Sequence, residues 1–76
     1  MPFRKSQKTE GKYANYFEVG HNAFEFILDF GQHYAENEEA ELCSRIITSP
    51  AYARVLQTIL TESIEQYEKK YQPINK

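Results

Sequence analysis

The chain has 76 residues, 9 Lys or Arg against 11 Asp or Glu, and a single cysteine. That length allows one domain, and a domain so small buries only about 60% of its unfolded surface, so its core is marginal unless something reinforces it. One cysteine excludes an intramolecular disulfide. Cys43, His21 and His33 stand at spacings that suit no zinc site, which leaves packing and oligomerisation as the means of reinforcement. No cofactor and no metal is expected.

The charge is unevenly placed. Residues 1–12 carry Arg4, Lys5, Lys8 and Lys12 against Glu10 alone. They lack apolar periodicity and are expected to form a disordered basic arm. Residues 13–52 carry Glu18, Glu25, Asp29, Glu36, Glu38, Glu39 and Glu41 against Arg45 alone. An acidic body repels phosphate backbones, so a nucleic-acid regulator working through the arm is the alternative reading and a solubilising tail the favoured one. No apolar run approaches the roughly 18 residues of a membrane helix, and nothing behind the arm resembles a signal peptide. With a lone thiol, this composition suits the cytoplasm.

The single α+β domain is expected over residues 13–72, with 73–76 as a tail. Tyr13 to Val19 reads as a first strand, rich in aromatic and β-branched residues. Gly20-His21-Asn22 supplies turn chemistry, and Asn22 can equally open an Asx turn. Phe24, Phe26, Leu28 and Phe30 then alternate with Glu25, Ile27, Asp29 and Gly31. That period of two places four large apolar side chains on one face of a central strand. Gly31 marks its end or a bulge. Residues 33–40 read as an acidic loop. Glu41 to Thr48 reads as a third strand, with Leu42 and Ile46 on one face and Cys43 and Ile47 on the other.

Ser49-Pro50 is a helix start, since serine accepts from an early backbone N–H and proline at the first position loses no bond. The helix should run to about Tyr71, before Pro73. Tyr52, Ala53, Leu56, Ile59, Leu60, Ser63, Ile64, Tyr67 and Tyr71 form its apolar face. The expected architecture is therefore a three-stranded antiparallel meander followed by one long helix that packs on a sheet face.

A helix of about 22 residues is about 33 Å long, whereas strands of about seven residues span only about 23 Å. About two helical turns, carrying Ile64, Tyr67 and Tyr71, remain to seek a partner. The second sheet face is also partly apolar, through Tyr16, Ile27, Cys43 and Ile47. These seven residues are the candidate interface of a homo-oligomer, a two-fold dimer being favoured.

No catalytic constellation emerges. Cys43 with His21 or His33 as base would make a nucleophile, but an apolar strand without an activating helix terminus favours a buried structural thiol. Asp29 and Glu25 share a strand face, and Arg45 on the adjacent strand is the natural ion-pair partner for one of them. Asp29, Gln32 and Arg45 form a candidate polar recognition site. The competing structural reading puts Phe30 in the core, Gly31 at a turn and Gln32 on loop backbone.

The order of Tyr13-Ala14-Asn15-Tyr16, His21, Phe26, Leu28-Asp29-Phe30-Gly31-Gln32, Arg45-Ile46-Ile47 and Ser49-Pro50 resembles a family of short bacterial proteins known as domain of unknown function 3467. Ala53, Leu56, Leu60, Ile64 and Tyr67-Glu68 extend the likeness through the helix. The chain departs from the family in having Asn22-Ala23-Phe24 where a proline and a bulky aromatic are usual. The resemblance implies a compact domain without an assigned activity, and no catalytic residues come with it. The expected role is a non-catalytic, homo-oligomeric module that binds another protein.

Overall fold

A computed structural model describes residues 3–4, 9–36 and 39–75. These residues form β1 (Tyr16–His21), β2 (Phe26–Gln32), β3 (Glu41–Thr48) and α1 (Pro50–Lys70), in that order. The strands make one antiparallel sheet with β2 in the centre. The α+β meander-then-helix order is therefore as expected, and β3 and the helix stand where the sequence puts them.

Both strands of the first hairpin begin later than their apolar patterns suggest. Asn22 causes the later start of β2: its Oδ1 accepts from the backbone N–H groups of Phe24 and Glu25 at 2.8 and 2.9 Å. The Asn22 N–H in turn donates to the Glu25 carbonyl at 3.0 Å. This Asx turn gathers residues 22–25 into the loop, so Gly20 and His21 stay in β1. Phe24, assigned by alternation to the core face, lies in the loop and is 81% exposed. His21, expected in the turn, ends β1 instead, and its ring stacks on that of Phe26 at 5.4 Å.

Register places Phe17, Val19, His21, Phe26, Leu28, Phe30, Ser44, Ile46 and Thr48 on one sheet face. The rings of Phe17 and Phe30, direct cross-strand partners, meet edge to face at 5.9 Å. Tyr16, Glu18, Ile27, Asp29, Arg45 and Ile47 share the opposite face. A bulge interrupts β3, because Phe30 pairs with Ser44 and Gly31 with Leu42, leaving Cys43 as the extra residue. An inserted residue reverses the alternation beyond it. Leu42 therefore joins Arg45 and Ile47 instead of Ile46, contrary to the simple period of two.

Gly31 sits where the bulge brings β3 close. A Cβ built there would lie 2.9 Å from the Glu41 carbonyl oxygen. Tyr16, its cross-strand partner, lays its ring edge 3.7 Å from the same point. Only hydrogen fits beside that carbonyl.

The helix departs from the expected packing. Of its residues only Ala53 and Glu68 are even partly buried, and no apolar side chain among the described residues is fully buried. Packing between elements is concentrated in the β1–β2 and β2–β3 seams, while α1 stands off the sheet. The physical reason lies in the connection. Strand–helix loops usually take 2–6 residues, and here Ser49 alone joins Thr48 to Pro50. Ser49 is extended (φ −82°, ψ 161°), and its Oγ accepts from the Tyr52 N–H at 3.1 Å, so the helix starts at once. Without residues to reverse the chain, the helix leaves the sheet at an angle. It ends at Tyr71, whose N–H donates to the Tyr67 carbonyl at 2.9 Å, and Lys69 and Lys70 oppose the dipole of the last turn.

Candidate functional site

Two surfaces stand out on the described residues. The first is an open apolar cleft between α1 and the face of the sheet that holds Leu28. Val19, Phe26 and Leu28 line one wall, and Pro50, Ala53, Leu56 and Leu60 the other, around about 600 Å³. Arg54 and Gln57 also line it. The sequence reading missed this surface, because it assigned both walls to each other within one chain. The missing loop between Thr48 and Pro50 was the available signal.

The second surface is the opposite sheet face, where β2 and β3 bring together Asp29 and Arg45 as direct cross-strand partners. Arg45 Nε donates to Asp29 Oδ1 at 2.8 Å and Nη2 to Oδ2 at 2.9 Å. This two-pronged ion pair fulfils the cross-strand expectation. Hydrogen bonding from Arg45 holds the Asp29 carboxyl below its ordinary pKa; partial burial opposes the shift and the guanidinium charge adds to it. The Asp29 side chain is 18% exposed and that of Arg45 is 57% exposed, so the pair is wetted from the arginine side. Beside it the Tyr16 hydroxyl donates to Glu18 Oε2 at 2.7 Å. That bond, with the Glu18 charge behind it, raises the pKa of the phenol. Tyr16, Glu18, Asp29, Gly31, Leu42 and Arg45 border a shallow hollow of about 220 Å³.

Gln32 does not join this group. Three positions along β2 from Asp29, it faces the other way, and its Oε1 accepts from the Tyr34 hydroxyl at 2.8 Å instead of from loop backbone. The loop backbone is held by Asn15, whose part the residue pattern did not reveal. Asn15 Oδ1 accepts from the His33 N–H at 2.7 Å, and its Nδ2 donates to the His33 carbonyl at 3.2 Å. The side-chain amide thus imitates one more residue of the β1–β2 ladder, just beyond the bond from Asn15 N–H to the Gly31 carbonyl at 3.0 Å.

Cys43, His21 and Asp29 are dispersed. His21 lies on the Leu28 face and Asp29 on the opposite one. Cys43 occupies the bulge, where its Sγ donates weakly to the Glu41 carbonyl at 3.8 Å; it is half-buried, not buried as expected. Of the candidate interface residues, Tyr16, Ile47, Ile64, Tyr67 and Tyr71 are exposed, and Ile27 and Cys43 are half-buried. Tyr67 and Tyr71 cover each other, with ring centroids 5.0 Å apart. In the arm, Arg4 and Lys12 are exposed, while Lys5 and Lys8 lie outside the described residues. Among the described residues no helix is long and apolar enough to cross a membrane, and no cluster of three potential metal ligands occurs.

The family described as "Protein of unknown function (DUF3467)" matches residues 4–76. The chain belongs to this family. The match spans both surfaces, so the cleft and the Asp29–Arg45 pair lie within the DUF3467 region. No curated protein and no solved structure matches this DUF3467 chain.

Proposed function

We propose that this DUF3467 protein is a non-catalytic, homo-oligomeric module whose folding is completed by assembly, and whose outward surface then binds another protein. One observation carries the reading: no apolar side chain among the described residues is fully buried, although 41% of the sequence is hydrophobic. Burial of apolar surface is the dominant favourable term in folding, at about 25 cal/mol per Å². A domain that half-buries Phe26, Ile27, Leu28 and Phe30 but fully buries no large apolar side chain within one chain gains the rest of that burial from a partner.

The sheet face bearing Tyr16, Ile27, Ile47 and the Asp29–Arg45 pair is the surface offered to a partner protein. Its mixture of aromatic, aliphatic and ion-paired groups suits a protein surface better than a phosphate backbone. The lone thiol of Cys43 favours a reducing, cytoplasmic setting.

The test is molar mass by light scattering on a sizing column across a tenfold dilution, followed by thermal melts at the same concentrations. The expected result is a multiple of the 9.0 kDa chain mass with a melting temperature that rises with concentration. A 9.0 kDa species that melts cooperatively and independently of concentration refutes the reading.

A further inference from the structure

We infer that the cleft between α1 and the sheet is filled by the α1 helix of a second copy of this chain, in a reciprocal two-fold exchange. The inference rests on the homo-oligomeric reading above and specifies how the copies meet.

The exposed area sets the scale. The chain exposes 7643 Å² at a mass of 9.0 kDa, whereas a compact monomer of that mass exposes about 4,900 Å². The excess is about 2,700 Å². A standard stable interface needs about 800 Å² from each partner, and obligate dimers use more. Part of that area belongs to residues 1–12, and the apolar share on the folded body includes Val19, Leu56, Ile59 and Leu60, all 44–63% exposed. The radius of gyration agrees, at 15.0 Å against about 11.4 Å for a compact chain of this length.

The position of the apolar surface selects the occupant. Val19, Phe26 and Leu28 on the sheet and Ala53, Leu56 and Leu60 on the helix face a shared opening. They diverge from the single linking residue Ser49, whose cap starts the helix at once and leaves no loop residues to fold it back onto its own sheet. A second copy presents the same two walls. Turned by a two-fold axis, each helix enters the other copy's cleft and meets a sheet on one side and a helix on the other. The layers become sheet, helix pair, sheet, and the large apolar residues meet at the centre.

Charge supports an antiparallel crossing of the two helices. Arg54 is the basic residue in the first half of α1, and Glu62 and Glu65 are acidic residues in its second half. A crossing centred near Ile59 sets Arg54 of each copy against the acidic stretch of the other, and Arg54 already lines the cleft. The exchange leaves the Asp29–Arg45 face outward on both copies.

The decisive experiment uses the unmodified protein. Isotope-labelled and unlabelled chains are unfolded together and refolded as a mixture. Isotope-filtered NOE spectra then detect only contacts between chains, while light scattering gives the mass. The expected result is a mass of two chains, with interchain NOEs from Val19 and Leu28 methyls to Leu56 and Leu60. A dimer whose Leu28–Leu60 contacts are all intrachain, or that lacks them, overturns the exchange and leaves the homo-oligomeric reading standing. A mass of one chain overturns both. An assembly of more than two chains overturns the two-fold geometry.

Discussion

Two glycines on the same sheet face should respond to alanine with opposite signs. At Gly31 the new methyl would lie 2.9 Å from the Glu41 carbonyl oxygen and 3.6 Å from its carbonyl carbon, both backbone atoms in the bulged strand. Backbone cannot rotate aside as a side chain can, so the bulge must open. Overpacking of this kind costs about 1–3 kcal/mol, and replacing glycine recovers about 0.4–1 kcal/mol by restricting the unfolded chain. The net expectation for Gly31→Ala is a loss of about 1–2 kcal/mol, or a Tm about 4–16 °C lower for a domain of this size. At Gly20 nothing lies within 4 Å of the built Cβ, and its φ is not in the left-handed region. Only the unfolded-state term remains, and Gly20→Ala should gain about 0.4–1 kcal/mol. Urea unfolding followed by far-UV circular dichroism, at one protein concentration, measures both variants. The reasoning fails if Gly31→Ala is as stable as the parent, or if the two variants lose stability equally.

The Asp29 carboxyl, held below its ordinary range by Arg45, contributes stability that is complete above the unfolded pKa of about 3.9 and is lost as pH falls through the lower folded value. Asp29→Asn should therefore flatten the acid side of the stability profile between about pH 5 and pH 2. Parallel acid limbs in urea midpoints for parent and variant would contradict the pairing. Removing the Asn15 amide with Asn15→Ala costs two bonds to His33 backbone, at about 0.5–1.5 kcal/mol each. Hydrogen exchange should show the His33 N–H losing protection in that variant while the centre of β2 keeps its own. Ser49→Ala removes the oxygen that accepts from the Tyr52 N–H and should cost about 1 kcal/mol. Ser49→Gly should cost only a few tenths, and a Ser49→Ala melt unchanged from the parent would show that the cap is idle.

Much of the local structure was legible because it depends on short-range chemistry. Ser49-Pro50 starts α1, Tyr71 before Pro73 ends it, and the alternation of Phe26, Leu28 and Phe30 makes β2 central whatever lies around it. The Asp29–Arg45 pair was readable too, since residues on adjacent strands with opposite charges have few other places to go. The family could be recognised from the order of these pieces, and the match over residues 4–76 agrees.

Tertiary structure decided what spacing alone leaves open. The bulge at Cys43 moved Leu42 to the other face, because one inserted residue shifts everything beyond it, and Gly31, which hints at a strand end or a bulge, does not say which strand carries the extra residue. Asn15 found its partner 18 positions away, at a distance only the folded hairpin closes. Above all, the apolar face of α1 was plain in the sequence, but the surface that covers it was not. Amphipathicity states that a face must be buried and is silent about whose surface does it. The one-residue connection at Ser49 turns the helix away from its own sheet, so that face is left uncovered within the chain.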